Sequence, residues 1–115
     1  MPAILIKNGQ IVTEKGIEKN DLFIENGVVT KIAPGLEDAA VETINATNLL
    51  IFPGFIDCHV HFREPGYEDA EDLASGAAAA RSGGVTTVCE MPNTNPPTCT
   101  VSALQDKLSR ASTIT

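Results

Sequence analysis

Around Phe52 the chain changes rhythm, and that change limits the folds open to it. Before it come short β-rich runs broken by Gly and Asn, at Ala3 to Lys7, Ile11 to Thr13, Leu22 to Glu25, Val28 to Ile32 and Val41 to Ile44. Strands this closely spaced predict an antiparallel sheet. The sharpest local signal is Asn26-Gly27, set between Leu22-Phe23-Ile24-Glu25 and Val28-Val29-Thr30. It supplies the two positive-φ residues of a tight hairpin turn.

From Leu49 onward strand and helix alternate, the rhythm of a parallel α/β unit. Leu49 to His61 begins apolar, and Pro53-Gly54 interrupts it before a strand at Phe55 to His61. A helix is predicted over Asp69 to Ser82. Glu68, Asp69, Glu71 and Asp72 crowd its start, Arg81 lies in its last turn and Gly83-Gly84 follows, in keeping with the helix dipole and C-cap preferences. Leu73, Ala77 and Ala80 form its apolar stripe. A second strand is predicted at Val85 to Met91, stopped by Pro92. A second helix follows at about Val101 to Arg110, with Val101, Leu104, Leu108 and Ala111 on one face. The resulting division is a β-rich segment over 1–52 and an α/β part over 53–115.

Composition narrows the function classes. A net charge of −7 leaves no basic patch for nucleic acid or an anionic membrane surface. Neither partner is expected. Met1 to Lys7 lacks the features of a secretory signal, and no apolar run approaches the roughly 18 residues of a membrane span, so a cytoplasmic location is expected. Cys58, Cys89 and Cys99 contain no C-x-x-C pair. They read as reduced thiols used as small buried side chains.

The chemistry concentrates in Asp57-Cys58-His59-Val60-His61-Phe62-Arg63. Residues two apart on a strand point to the same side, so Asp57, His59 and His61 share one face, and Ile56, Cys58 and Val60 share the other. Two imidazoles side by side can each offer a ring nitrogen to one divalent cation. An isolated H-x-H is more often a pair of polar residues at a strand end. Arg63 alone reads as a solvated charge and Asn93 alone as a turn residue.

The wider context decides between these readings. Pro53-Gly54-Phe55-Ile56-Asp57-Cys58-His59-Val60-His61 resembles the first barrel strand of the amidohydrolase superfamily, whose N-terminal β-segment precedes the barrel. Phe62-Arg63-Glu64-Pro65-Gly66, then Gly83-Gly84-Val85-Thr86-Thr87, then Met91-Pro92-Asn93-Thr94 is similar to the dihydroorotases in particular. The resemblance implies an α/β fold in which a β-rich segment leads into the first two βα units of a TIM-like (β/α)8 barrel. It implies an enzyme that interconverts N-carbamoyl-L-aspartate and dihydroorotate in pyrimidine biosynthesis. His59 and His61 would be metal ligands for one or two Zn2+ ions, polarising an amide carbonyl and acidifying a water. Arg63 and Asn93 would bind the ring carboxylate, through the planar guanidinium fork and an amide donor. A homo-oligomer, or association with aspartate carbamoyltransferase, is compatible with it.

The family completes its site with a bridging carboxylate or carboxylated lysine, two further histidines and an acid/base aspartate. No histidine follows His61, and a full barrel takes about 250 residues. The expectation is an incomplete, truncated barrel that is inactive alone, with no catalytic acid/base assigned within it. Two other readings stand beside it. One is a noncatalytic interaction module of the same ancestry. The other is a cyclic amidohydrolase of the hydantoinase or allantoinase type, whose members generally lack an arginine at the position of Arg63.

Overall fold

The computed structural model describes residues 2–38 and 41–114, which fall into two compact units, Met1–Pro53 and Gly54–Thr115. Among the described residues no helix is long and apolar enough to cross a membrane.

The first unit holds seven strands: β1 (Ile4–Lys7), β2 (Gln10–Thr13), β3 (Gly16–Lys19), β4 (Asp21–Glu25), β5 (Val28–Ala33), β6 (Glu42–Asn45) and β7 (Leu50–Ile51). They form a four-stranded sheet in the order β5-β4-β1-β6 and a three-stranded sheet in the order β3-β2-β7. The hairpin β4–β5 turns on Asn26 and Gly27, whose φ angles are 52° and 77°. Both residues therefore occupy the left-handed region that a primed turn demands.

The sheets are mixed, which corrects the expected antiparallel arrangement. β1 pairs with β6 and β2 with β7 in parallel, while β1–β4, β4–β5 and β2–β3 are antiparallel. Tight turns join β2 to β3 and β4 to β5, β1 meets β4 only after the β2–β3 hairpin, and β6 and β7 return later still and enter in the same direction as β1 and β2. Backbone bonds from Ala46 N to Lys7 O (2.8 Å) and from Gln10 N to Leu49 O (3.0 Å) bind the two connections between the sheets. β3 is an addition to the expected strands. All four of its residues are exposed, so it has no apolar alternation to betray it. It forms by folding back on β2, with the Thr13 hydroxyl accepting from Lys15 N at 3.2 Å and donating to Gly16 O at 3.0 Å.

Leu5, Ile11, Leu22 and Ala46 are the buried apolar residues of this unit. Among them sits a buried carboxylate, Asp21, which is 5% exposed. It accepts from Asn8 N at 2.8 Å and from Leu36 N at 3.0 Å, tying two loops to the start of β4. The bond from Asn8 N holds its carboxyl below the usual aspartate range. Asp21→Ala strands both donors and should lower the unfolding free energy by about 2 to 4 kcal/mol, read from urea denaturation. Because the folded-state pKa is depressed, the stabilisation is present above the ordinary aspartate range and is lost as pH falls through the lowered value. The gap between native and variant should therefore narrow on acidification.

The second unit is β8 (Phe55–Val60), α1 (Leu73–Ser82), β9 (Val85–Glu90) and α2 (Val101–Ala111), with β8 and β9 paired in parallel. Helix α1 begins four residues later than its acidic run predicts. Backbone bonds from Ala70 N and Glu71 N to Tyr67 O hold that run in a preceding turn. Asp72 is the N-cap, accepting from Ser75 N at 2.7 Å while Ser75 Oγ accepts from Asp72 N at 3.2 Å. This is a reciprocal capping box. Leu73 is buried, Ala77 and Ala80 are half-buried, and Gly83 closes the helix as expected.

Two apolar faces are left open within this unit. Ile56 is 69% exposed and Cys58 is also exposed, because α1 packs on β9 and leaves the apolar side of β8 uncovered within this unit. The three cysteines are free but exposed rather than buried. On α2, Val101, Leu104 and Leu108 are exposed, and the buried residue is Lys107. Its ammonium meets Glu90 Oε2 at 2.6 Å, so the aliphatic stem lies inward and the charge is neutralised at the end of β9.

Candidate metal and substrate site

Strand β8 ends at Val60, and His59 and His61 stand at that end. Their period-two spacing brings the rings together. The two Nε2 atoms are 3.2 Å apart, with ring centroids at 5.0 Å and planes inclined at 63°. Two nitrogens each bound at 2.0–2.1 Å to one tetrahedral zinc would stand about 3.3 Å apart. The pair therefore fits a shared divalent cation. Among the described residues no group of three or more His, Cys, Asp or Glu side chains gathers around a common point, so the two rings do not by themselves make a closed ligand set. Asp57 does not reach the rings' outer nitrogens; its Oδ1 accepts from His59 N at 3.0 Å and braces the strand.

Asn93 joins the pair from the other strand. Val60 and Glu90 are in register, and Met91 N donates to Val60 O at 2.9 Å, so the loop leaving β9 starts beside the residue preceding His61. Asn93 Oδ1 lies 2.8 Å from His61 Nδ1. The loop is tied down around it. Thr94 is buried, Thr98 N donates to Pro92 O at 2.9 Å, and Asn95 N donates to Pro65 O at 2.9 Å. At Gly66, with φ of 93°, an added Cβ would stand 2.1 Å from Asn95 O, so only glycine lets the two loops approach this closely.

Arg63 follows His61 by two residues on the loop that Gly66 closes, and its side chain is half-buried. Among the described residues its guanidinium has no carboxylate partner. The neighbouring acids are engaged elsewhere. Glu64 accepts from Leu73 N at 3.0 Å and from Arg110 Nη1 at 3.1 Å, and Arg110 also pairs with Asp106 at 2.8 Å. Arg110 is raised above its ordinary value, first by its hydrogen bond to Asp106 and then by that to Glu64. Glu64 thus anchors the Arg63 loop to both helices, a role no sequence pattern announces. The two clefts of about 620 and 580 Å3 are lined by none of His59, His61, Arg63 and Asn93. The smaller holds the Glu90–Lys107 pair under the apolar side of α2.

The histidine pair thus ends the first strand of a parallel β-α-β unit that follows a mixed-sheet segment in sequence. The chain belongs to the amidohydrolase family, which matches residues 50–113. Within that class its sequence is similar to dihydroorotases. It is 52% identical over 93 residues to that of Listeria welshimeri, covering 80% of this chain and 22% of the relative. It is 44% identical over 110 residues to that of Streptococcus pneumoniae, covering 94% and 26%. The chain thus spans about a quarter of the length of the curated relatives it matches. Among solved structures it resembles L-hydantoinase (dihydropyrimidinase) from Arthrobacter aurescens, with a TM-score of 0.84 at 34% identity over 96% of this chain and 25% of that one.

Proposed function

We propose that this chain is the N-terminal portion of a zinc-dependent dihydroorotase, a cytoplasmic enzyme of pyrimidine biosynthesis. On this reading 1–52 is a β-sandwich segment and 53–115 opens a (β/α)8 barrel with its first two βα units. The observation that carries it is the His59–His61 pair at the end of β8, followed two residues later by an arginine that has no carboxylate partner among the described residues.

His59 and His61, whose Nε2 atoms stand 3.2 Å apart, would hold the cation. Zinc in such a site supplies polarisation of the amide carbonyl and an acidified water near neutral pH. Arg63 binds the ring carboxylate through its planar fork, while the adjacent Glu64 is engaged by Arg110. Asn93 adds an amide donor. The remaining ligands and the general acid/base belong to other parts of the barrel, and the chain alone is inactive. The test is hydrolysis of dihydroorotate and its formation from N-carbamoyl-L-aspartate by the intact protein. Turnover in both directions, abolished by chelation and restored by zinc, is expected.

A second reading is a cyclic amidohydrolase of hydantoinase type, favoured by the TM-score of 0.84 to L-hydantoinase. It predicts turnover of neutral hydantoin in preference to dihydroorotate, the reverse of the outcome expected here.

A further inference from the structure

We infer that Asn93 positions His61 through the oxygen of its amide, which leaves the nitrogen for the carboxylate contact already proposed. The substrate half rests on the dihydroorotase reading; the positioning half rests on geometry alone. His61 turns Nε2 toward His59 at 3.2 Å and Nδ1 toward Asn93 Oδ1 at 2.8 Å. A ring that offers its Nε2 lone pair to a cation carries its proton on Nδ1, and an amide oxygen can only accept. The contact therefore selects the ligating tautomer and fixes the plane of the ring. It also decides which end of Asn93 is left over. With Oδ1 committed to His61, the amide presents Nδ2, which only donates, and a carboxylate is the partner it fits.

The loop makes the arrangement rigid enough for both tasks. Two residues before Asn93, Met91 N is bonded to Val60 O; buried Thr94 follows it, and Asn95 N is bonded to Pro65 O. Metal-ligand orientation and carboxylate recognition thus share one side chain.

The experiment compares native holoenzyme with Asn93→Ala and Asn93→Asp, measuring zinc affinity by chelator competition, KM for dihydroorotate, and the His61 ring signals by 15N NMR. Asn93→Ala removes both atoms, and zinc should bind about 10- to 100-fold more weakly while KM rises. Asn93→Asp keeps an acceptor for the Nδ1 proton but sets like charge against the substrate. Zinc affinity should stay close to native while KM rises at least about tenfold. The downfield Nδ1 proton of His61 should persist in Asn93→Asp and be lost in Asn93→Ala. The Asp variant, being nearly isosteric, keeps the test decisive should Asn93→Ala fail to fold. Zinc affinity and His61 signals unchanged in Asn93→Ala would overturn the positioning role even where KM rises and the dihydroorotase reading stands. A zinc-loaded native protein that ignores dihydroorotate would end that reading, and weaker zinc binding by Asn93→Ala would still uphold the positioning role.

Discussion

His61→Ala, made in the intact protein, should cut kcat/KM for dihydroorotate on the order of a thousandfold or more and lower the zinc retained per chain. The removed imidazole is one of two nitrogens spaced 3.2 Å apart, close to the separation that one tetrahedral ion imposes. Lewis-acid stabilisation of the reacting carbonyl is worth several kcal/mol, and each ~1.4 kcal/mol is a factor of ten in rate. His61 lies beyond the last residue of β8 and is not among the buried residues of its unit, so the substitution opens no cavity in the core. Unchanged far-UV circular dichroism should accompany the loss. Activity within about tenfold of native, with full zinc content, would remove His61 from the metal site.

What the sequence made legible were features written locally. The Asn26-Gly27 turn, the helix stop at Gly83 and the shared face of His59 and His61 each follow from a few adjacent residues and a fixed period. Features settled over distance were not legible in this way. The parallel pairing of β1 with β6 joins residues 38 apart in register, Ile4 with Glu42, and no local pattern records it. The start of α1 was obscured by four acids that all suit a helix N-terminus. Only Asp72 has a serine at the spacing of a capping box. Asn93 could be marked as a polar loop residue, yet its contact with His61 spans 32 positions. The exposure of Cys58, Ile56 and the apolar side of α2 had no sequence signal, because apolar spacing shows that a face wants cover without showing what supplies it.

That limit bears on the choice between dihydroorotase and hydantoinase chemistry. Backbone likeness to L-hydantoinase follows from sharing the family fold, and a shared fold hosts several substrates. On the proposed reading, substrate choice depends on individual side chains on the loops after β8 and β9. Of these, Arg63 alone is a permanent cation left without an acidic partner among the described residues. The ring carboxylate distinguishes dihydroorotate from hydantoin, so the arginine is where the two readings diverge.

Arg63→Ala in the intact protein should therefore reduce kcat/KM for dihydroorotate by about 30- to 1000-fold, corresponding to about 2 to 4 kcal/mol for a charge-assisted contact to a desolvated carboxylate. Zinc content should not change, since the guanidinium is not a ligand and His61 keeps its bond to Asn93. The loop should also keep its shape. Its anchors are Glu64 to Leu73 N and to Arg110, together with the close approach of Gly66 to Asn95, and none uses the Arg63 side chain. Arg63→Lys should recover only part of the loss, because one ammonium cannot reproduce two parallel donors. Any activity toward neutral hydantoin should be little affected by the same substitution, so the ratio of the two activities is the sharpest readout. An unchanged KM and kcat for dihydroorotate in Arg63→Ala would sink the carboxylate assignment and shift the balance to the hydantoinase reading.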